Sequence, residues 1–359
     1  MEVLEKMKVL KVGEKIAKYP IIQGGMGVGV SMHRLAGTVS REGGIGVISM
    51  ADTGYLEEDF DKNPMEANLR AIGKEIKKAR EIAGEDKIIA ANVMVAMEHY
   101  AEIIKECVKN KIDLIISGAG LPLDLPEYTK GSSTKIAPIV SSLRCCKLII
   151  KQWVRKYDYY PDMVVIEGPE AGGHLGFKLD ELEPDKKPDL ANITKEVVEY
   201  IHEVEKEAGK EIPVISAGGI WDGNDIQKYL DLGASGVQMA TRFVATDECD
   251  ASQAFKEAYV NATPDDVMIV KSPVGMPGRA ICNEFVQKTK CDRIGIKRCY
   301  KCIKTCNVAT TPYCITQALI NSVKGNLNEG LIFCGSNVGR IKQIVPVHDL
   351  MQELVGCLN

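Results

Sequence analysis

The chain has 359 residues, 45% of them hydrophobic and 26% charged, with a formal net charge of −4. That length accommodates one large barrel with additions or two domains, and the acidic balance argues against a nucleic-acid partner or an anionic membrane surface. No apolar run approaches the roughly 20 residues that span a bilayer, and Met1–Pro20 interleaves charges with apolar side chains, unlike an export signal, so a soluble cytoplasmic protein is expected.

Strand-like runs alternate with helical ones along the chain. Ile21-Ile22 leads into Gln23-Gly24-Gly25-Met26-Gly27, with a helix opening near Ser31. Ile45–Met50, Ile88–Val95, Asp113–Ser117, Lys135–Ser141 and Met163–Glu167 are the next β-branched runs. Charged amphipathic segments follow several of them, at about 63–83, 98–109, 142–156 and 193–208. Pro213 opens a seventh run, which ends in Gly218-Gly219. Asp222 and Asn224 then offer caps for a short helix closed by Gly233, and Gly236 opens an eighth run ending in Ala240-Thr241. Eight such runs predict a closed (β/α)8 TIM barrel, with an open parallel sheet as the alternative. Beyond it the pattern predicts a helix over 251–261, a strand at Met268-Ile269-Val270, an irregular loop from Ser272 to Arg279, and helices near 316–324 and 348–355. Residues 1–285 are read as the barrel with its post-barrel addition, and 286–359 as a Cys-rich, mostly helical extension packed on it.

Barrel chemistry sits on the loops after the strands. The small residues Gly218, Gly219, Ala240 and Thr241 close the last two strands, where free backbone N–H groups cradle phosphate. The QGGMG run after strand one lets a flat ring approach the backbone, and Asn92 after strand three offers an amide to a heterocycle edge. His174, behind two glycines after strand six, is exposed to a ligand and expected to titrate near neutral pH. His33, His99, His202 and His348 fall in helical, exposed positions.

QGGM, EAGGHLG, SAGGI and QMATRF, in this order and on these strands, resemble the flavin-dependent nitronate monooxygenases across roughly residues 15–285. Flavin-dependent enoyl-acyl-carrier-protein reductases share the same barrel. The resemblance implies FMN, with Gly24, Gly25 and Met26 lining the ring, Asn92 and Glu167 near it, and Gly172 and Gly173 backing it. It also places the phosphate on Gly218, Gly219, Ala240 and Thr241 and makes His174 the catalytic acid/base. Relatives commonly have Gly at the position of Ala240, and some carry a lysine late in strand five, where this chain reads Pro138-Ile139-Val140. The implied reaction is oxidation of small alkyl nitronates by O2 to a carbonyl compound and nitrite. NAD(P)H-dependent reduction of an enoyl thioester or a quinone is the alternative, and a flavin-binding sensor a third reading. The charged segment Lys178–Asp189 shows no apolar groove for an acyl chain, which favours a small substrate. Whether NAD(P)H takes part and whether the chain forms a homodimer are left open.

Seven of the 12 cysteines crowd the region from Cys282 to Cys334. Without an export signal, free thiols or metal ligands are the readings to weigh. Cys299, Cys302 and Cys306 have spacing suited to zinc or an iron–sulfur cluster, with Cys291 or Cys314 as a fourth ligand. The implied family needs no such metal, so ordinary reduced thiols are expected.

Overall fold

A computed structural model describes residues 8–358. Residues 1–7, the start of the segment read as carrying no export signal, and Asn359 lie outside the described residues. Eight parallel strands run Ile21–Gln23, Gly46–Ser49, Ile89–Met94, Leu114–Gly118, Lys135–Val140, Val164–Glu167, Val214–Ala217 and Gly236–Met239. Each pairs with the next, and the last pairs with the first. Closure comes from the parallel bridge between Ile22 and Ile45, where the Gln23 N–H donates to the Ile45 carbonyl and the Ile45 N–H to the Ile21 carbonyl, both at 2.9 Å. The closed parallel barrel expected from the eight runs is the architecture found.

The two-residue strand period explains how this sheet buries both faces. Ile22, Val47, Ala90, Ile116, Ala137, Val165 and Ile215 fill the barrel interior. Their neighbours Ile21, Ile48, Ile89, Ile115, Ile136, Val164 and Val214 face the surrounding helices. A hairpin of Leu10–Val12 and Lys15–Ala17 closes the N-terminal end, adding Leu10, Val12 and Ala17 to the inner core.

The connecting helices are His33–Arg41, Pro64–Ala83, Tyr100–Lys109, Leu125–Thr129, Leu143–Tyr157, Leu190–Ala208, Gly223–Asp231 and the single turn Thr241–Val244. The helix after strand seven starts as its sequence directs: the Asp222 carboxylate accepts from the N–H groups of Asn224 and Asp225 at 3.0 and 3.1 Å. Asn224 lies inside the first turn and is not the cap. Among the described residues no helix is long and apolar enough to cross a membrane.

The post-barrel region departs from its sequence pattern at one place. Residues 272–279 are not wholly irregular, because Pro277–Ile281 is a strand, antiparallel to Val267–Lys271 on one side and to Gly173–His174 on the other. Proline is allowed as the first residue of a strand, and the partner that organises this one lies about a hundred residues upstream, beyond any local pattern. The helix Val347–Val355 returns to the barrel, burying Leu350, Met351 and Leu354 in the outer core. Arg242 holds it with two hydrogen bonds of 2.6 and 2.7 Å to the Glu353 carboxylate.

Candidate active site

A cavity of about 1070 Å³ opens at the C-terminal ends of the strands. Of the residues singled out in the sequence, Gly25, Met26, Asn92, Glu167, Gly172, Gly173, His174, Ala240 and Thr241 line it. Gly24, Gly218 and Gly219 do not. A Cβ on Gly24 would meet the Gln238 side chain at 3.2 Å. Gly218 and Gly219 adopt φ of +101° and +79° beneath the turn formed by residues 168–171. There a Cβ would meet the Ala171 nitrogen at 3.0 Å and the Glu170 Cβ at 2.8 Å, respectively.

The loop after strand one is locked against strand three. A Cβ on Gly25 would lie 2.3 Å from the Cβ of Asn92, so only glycine lets these two backbones approach. The Asn92 amide nitrogen donates to the Ile116 carbonyl at 3.3 Å, which leaves its oxygen for the cavity. At the end of strand six Glu167 is buried, and desolvation pushes its carboxyl up to about 7 despite the Gly176 N–H and the Arg279 guanidinium, which favour its charged form.

His174 is placed by long-range pairing. Its two-residue strand adds to the post-barrel hairpin, with Gly278 opposite His174 and Arg279 opposite Gly173. The imidazole Nε2 lies 2.7 Å from the Ser272 hydroxyl, and the ring meets Phe333 edge-on at 4.9 Å. Ser272 Oγ also accepts from the Val274 N–H at 3.3 Å; if its hydroxyl donates to Nε2 the proton of a neutral His174 sits on Nδ1, and if Nε2–H donates to the hydroxyl Nδ1 is left as an acceptor. Burial lowers the imidazole pKa to about 4, which corrects the expectation that it titrates near neutral pH. Desolvation in this loop outweighs the ordinary solution value, and the working form at pH 7 is the neutral ring.

At the strand-eight end, Thr241 and Ala240 meet a segment from the C-terminal extension. Thr241 Oγ1 accepts from the Gly335 N–H at 3.2 Å, and Ala240 precedes Thr241 at the mouth of the short final turn. Gly335, which also lines the cavity, comes from the C-terminal extension. Gly172 packs so tightly on that segment that a Cβ would fall 2.6 Å from the Cys334 carbonyl carbon, whereas a Cβ on Gly173, at φ +71°, would have nothing within 4 Å.

Sequence reasoning missed Ser272, Phe333, Gly335 and Arg279. The one local signal was Leu331–Ser336, an apolar run ending in Gly335-Ser336 much as strand eight ends in Ala240-Thr241. The entrance also proves less polar than its composition, because Phe177 and Leu179 line the cavity beside Lys178. None of the other four histidines lines it. His33 and His348 pair with Glu75 and Glu42 at 2.7 and 2.8 Å.

Comparisons with known proteins agree with this arrangement. Residues 10–356 match the model of the nitronate monooxygenase family. A probable nitronate monooxygenase of Staphylococcus saprophyticus is 30% identical over 292 residues, covering 76% of this chain and 78% of that one. One from Staphylococcus aureus is 26% identical over 291 residues, covering 76% and 77%. Among solved structures, FabK from Thermotoga maritima superposes with a TM-score of 0.72 at 26% identity, over 94% of this chain and 91% of that one. A nitroalkane oxidase from Streptomyces ansochromogenes shares the fold, with a TM-score of 0.68 at 19% identity over 97% and 96% of the two chains. With its barrel, its cavity and nearly its whole length accounted for in this way, the chain is an oxidoreductase enzyme that belongs to the nitronate monooxygenase family.

Proposed function

We propose that the chain binds FMN noncovalently in the cavity and oxidises small alkyl nitronates with O2 to a carbonyl compound and nitrite. The shape and donor set suit the cofactor. Gly25 and Gly173 leave flat backbone beside the cavity, the Asn92 amide oxygen would meet a ring edge, and Ala240 and Thr241 after strand eight, with Gly335 beside them, would hold the phosphate. When bound, the flavin supplies the redox step, taking electrons from the nitronate and giving them to O2.

The observation that carries the reading is the state of His174. Burial keeps the ring neutral, and Ser272 occupies Nε2. In the tautomer where the Ser272 hydroxyl donates to Nε2, Nδ1–H is the group left for the substrate, a donor suited to the oxygen of an anion that is already deprotonated. A neutral nitroalkane would instead need a proton acceptor. Glu167, a carboxyl that ionises only near pH 7, keeps the cavity free of negative charge at lower pH, which also suits an anionic substrate.

The test is nitrite release from a preformed alkyl nitronate in air, without NAD(P)H. Loss of nitrite formation under anaerobic conditions is expected, and absence of turnover in air would refute the proposal. A second reading, reduction of an enoyl thioester by NAD(P)H, is favoured by one observation, the apolar wall of Phe177, Leu179, Leu319, Leu331 and Phe333, which gives an acyl chain somewhere to lie. Crotonyl-thioester-driven NADH oxidation faster than nitronate oxidation would put that reading first.

A further inference from the structure

Four of the late cysteines come together away from the active site. Cys299, Cys302, Cys306 and Cys314 line one chamber of about 190 Å³, whose other walls include Ile296, Ile303, Val308 and Ile315. Cys291 is exposed, ends the helix Glu284–Cys291 and does not line it, so Cys314 is the fourth member that spacing alone left undecided. The chamber has about six times the share of liquid volume that one water takes, more room than one metal ion needs.

One backbone N–H in this segment is aimed at a cysteine sulfur. Lys301, inside the Cys299-x-x-Cys302 turn, adopts φ of +50°, a left-handed conformation that costs a non-glycine residue about 1 kcal/mol or more and persists where its surroundings require it. In that conformation its N–H points at Cys299 Sγ, 3.4 Å away, and N–H groups directed at sulfur are among the means by which proteins tune thiolate ligands of iron–sulfur clusters. Cys314 occupies the N-cap position of the nine-residue helix Ile315–Val323, whose unpaired N–H end favours negative charge.

Single-ion binding does not suit the arrangement. Tetrahedral zinc needs its ligands at about 2.3 Å from one point, and among the described residues no three His, Cys, Asp or Glu side chains are grouped closely enough to hold an ion. In a cubane cluster each thiolate bonds a different iron, so the four sulfurs need to face a common chamber and not a common atom. All four are free thiols, with no disulfide between them.

We propose that Cys299, Cys302, Cys306 and Cys314 ligate an iron–sulfur cluster of the [4Fe–4S] class, revising the expectation of ordinary thiols. The cluster staples residues 299–314 to one another and so holds the shape of the segment that packs on the loop after strand three. That seam is already stitched by backbone: the Glu98 N–H donates to the Cys302 carbonyl at 3.1 Å and the Lys304 N–H to the Ala96 carbonyl at 3.0 Å. Strand three carries Asn92 and Met94 into the active-site cavity, so losing the cluster loosens one of its walls.

Iron and acid-labile sulfide in the anaerobically purified full chain test this directly, with Mössbauer spectra to identify the cluster free of flavin absorbance. About four iron and four sulfide per chain are expected, lost in Cys302→Ser and Cys314→Ser and unchanged in Cys291→Ser. Wild-type protein that holds no iron after anaerobic reconstitution with iron and sulfide overturns the proposal, as does a single bound zinc. So does iron that survives in both ligand variants. The wild-type measurement stands even where a variant fails to fold, and because it reads metal content, its outcome is separate from that of the nitronate assay.

Discussion

Glu167→Gln isolates the energetic consequence of placing a carboxyl at the end of strand six. Burial raises its pKa from the ordinary 4.5 to about 7. Each tenfold change in proton affinity corresponds to about 1.4 kcal/mol, so the shift amounts to about 3 kcal/mol, on the order of a few hundredfold in the folding equilibrium. The sign follows from which state ionises first. Below pH 4.5 the carboxyl is neutral in both folded and unfolded chains. Between pH 4.5 and about 7 only the unfolded chain loses the proton, and the stability that the neutral group contributed drains away, with the full deficit present above pH 7. Gln keeps the shape and cannot ionise. The stability of Glu167→Gln relative to wild type should therefore rise by about 3 kcal/mol between pH 4 and pH 8. Urea unfolding of the flavin-free protein at the two pH values measures it, and taking the difference between pH values cancels the fixed cost of exchanging an acid for an amide. A relative stability that is flat with pH, or falls towards pH 8, would show that Arg279 and the Gly176 N–H offset the burial and that the carboxyl is ionised throughout.

Gly25→Ala should abolish flavin retention, because its Cβ would sit 2.3 Å from the Asn92 Cβ and one of the two loops must move; co-purifying absorbance per chain measures this, and a fully yellow variant would refute it. Flavin released by heat should chromatograph as FMN, not FAD. His174→Ala should keep its flavin while kcat falls by a factor on the order of 10² to 10⁴. Because the folded imidazole pKa is depressed from 6.5 to about 4, its contribution to stability is present above pH 6.5 and is lost as pH falls towards 4. The kcat/KM profile should accordingly lack a histidine inflection near pH 6.5, and an inflection there that disappears in His174→Ala would contradict the burial.

The strands were legible because each buries side chains on both faces, and a parallel strand buried twice must be written as a nearly unbroken β-branched run, as in Val164-Val165-Ile166. The cavity lining was legible where distinctive residue types stand at strand ends, as at Gly25, Asn92 and His174. What escaped depends on segments that meet only after folding. A Gly-Gly pair ending strand seven is visible in the sequence, but nothing local reveals that the turn at residues 168–171 lies against Gly218 and Gly219. The surroundings of His174, whose burial lowers its pKa, are built by Ser272 and Phe333, 98 and 159 positions away in the chain. Pro277–Ile281 became a strand for the same reason, since its partners are an earlier loop and an adjacent hairpin arm.

The segment that closes the cavity also fixes a timetable for its assembly. Phe333 and Gly335 reach the active site by continuing the post-barrel sheet, with the Ile281 N–H donating to the Ile332 carbonyl and the Cys334 N–H to the Arg279 carbonyl, at 2.9 and 3.0 Å. During synthesis all eight barrel strands leave the ribosome before these residues exist, and a barrel folded at that moment would have an open flank beside Thr241 and His174. The wall is therefore added late, ahead only of the helix Val347–Val355 that completes the outer core. Nonsense or frameshift lesions between the eighth strand and Phe333 should cost the pocket wall and, with the helix Val347–Val355, part of the outer core as well.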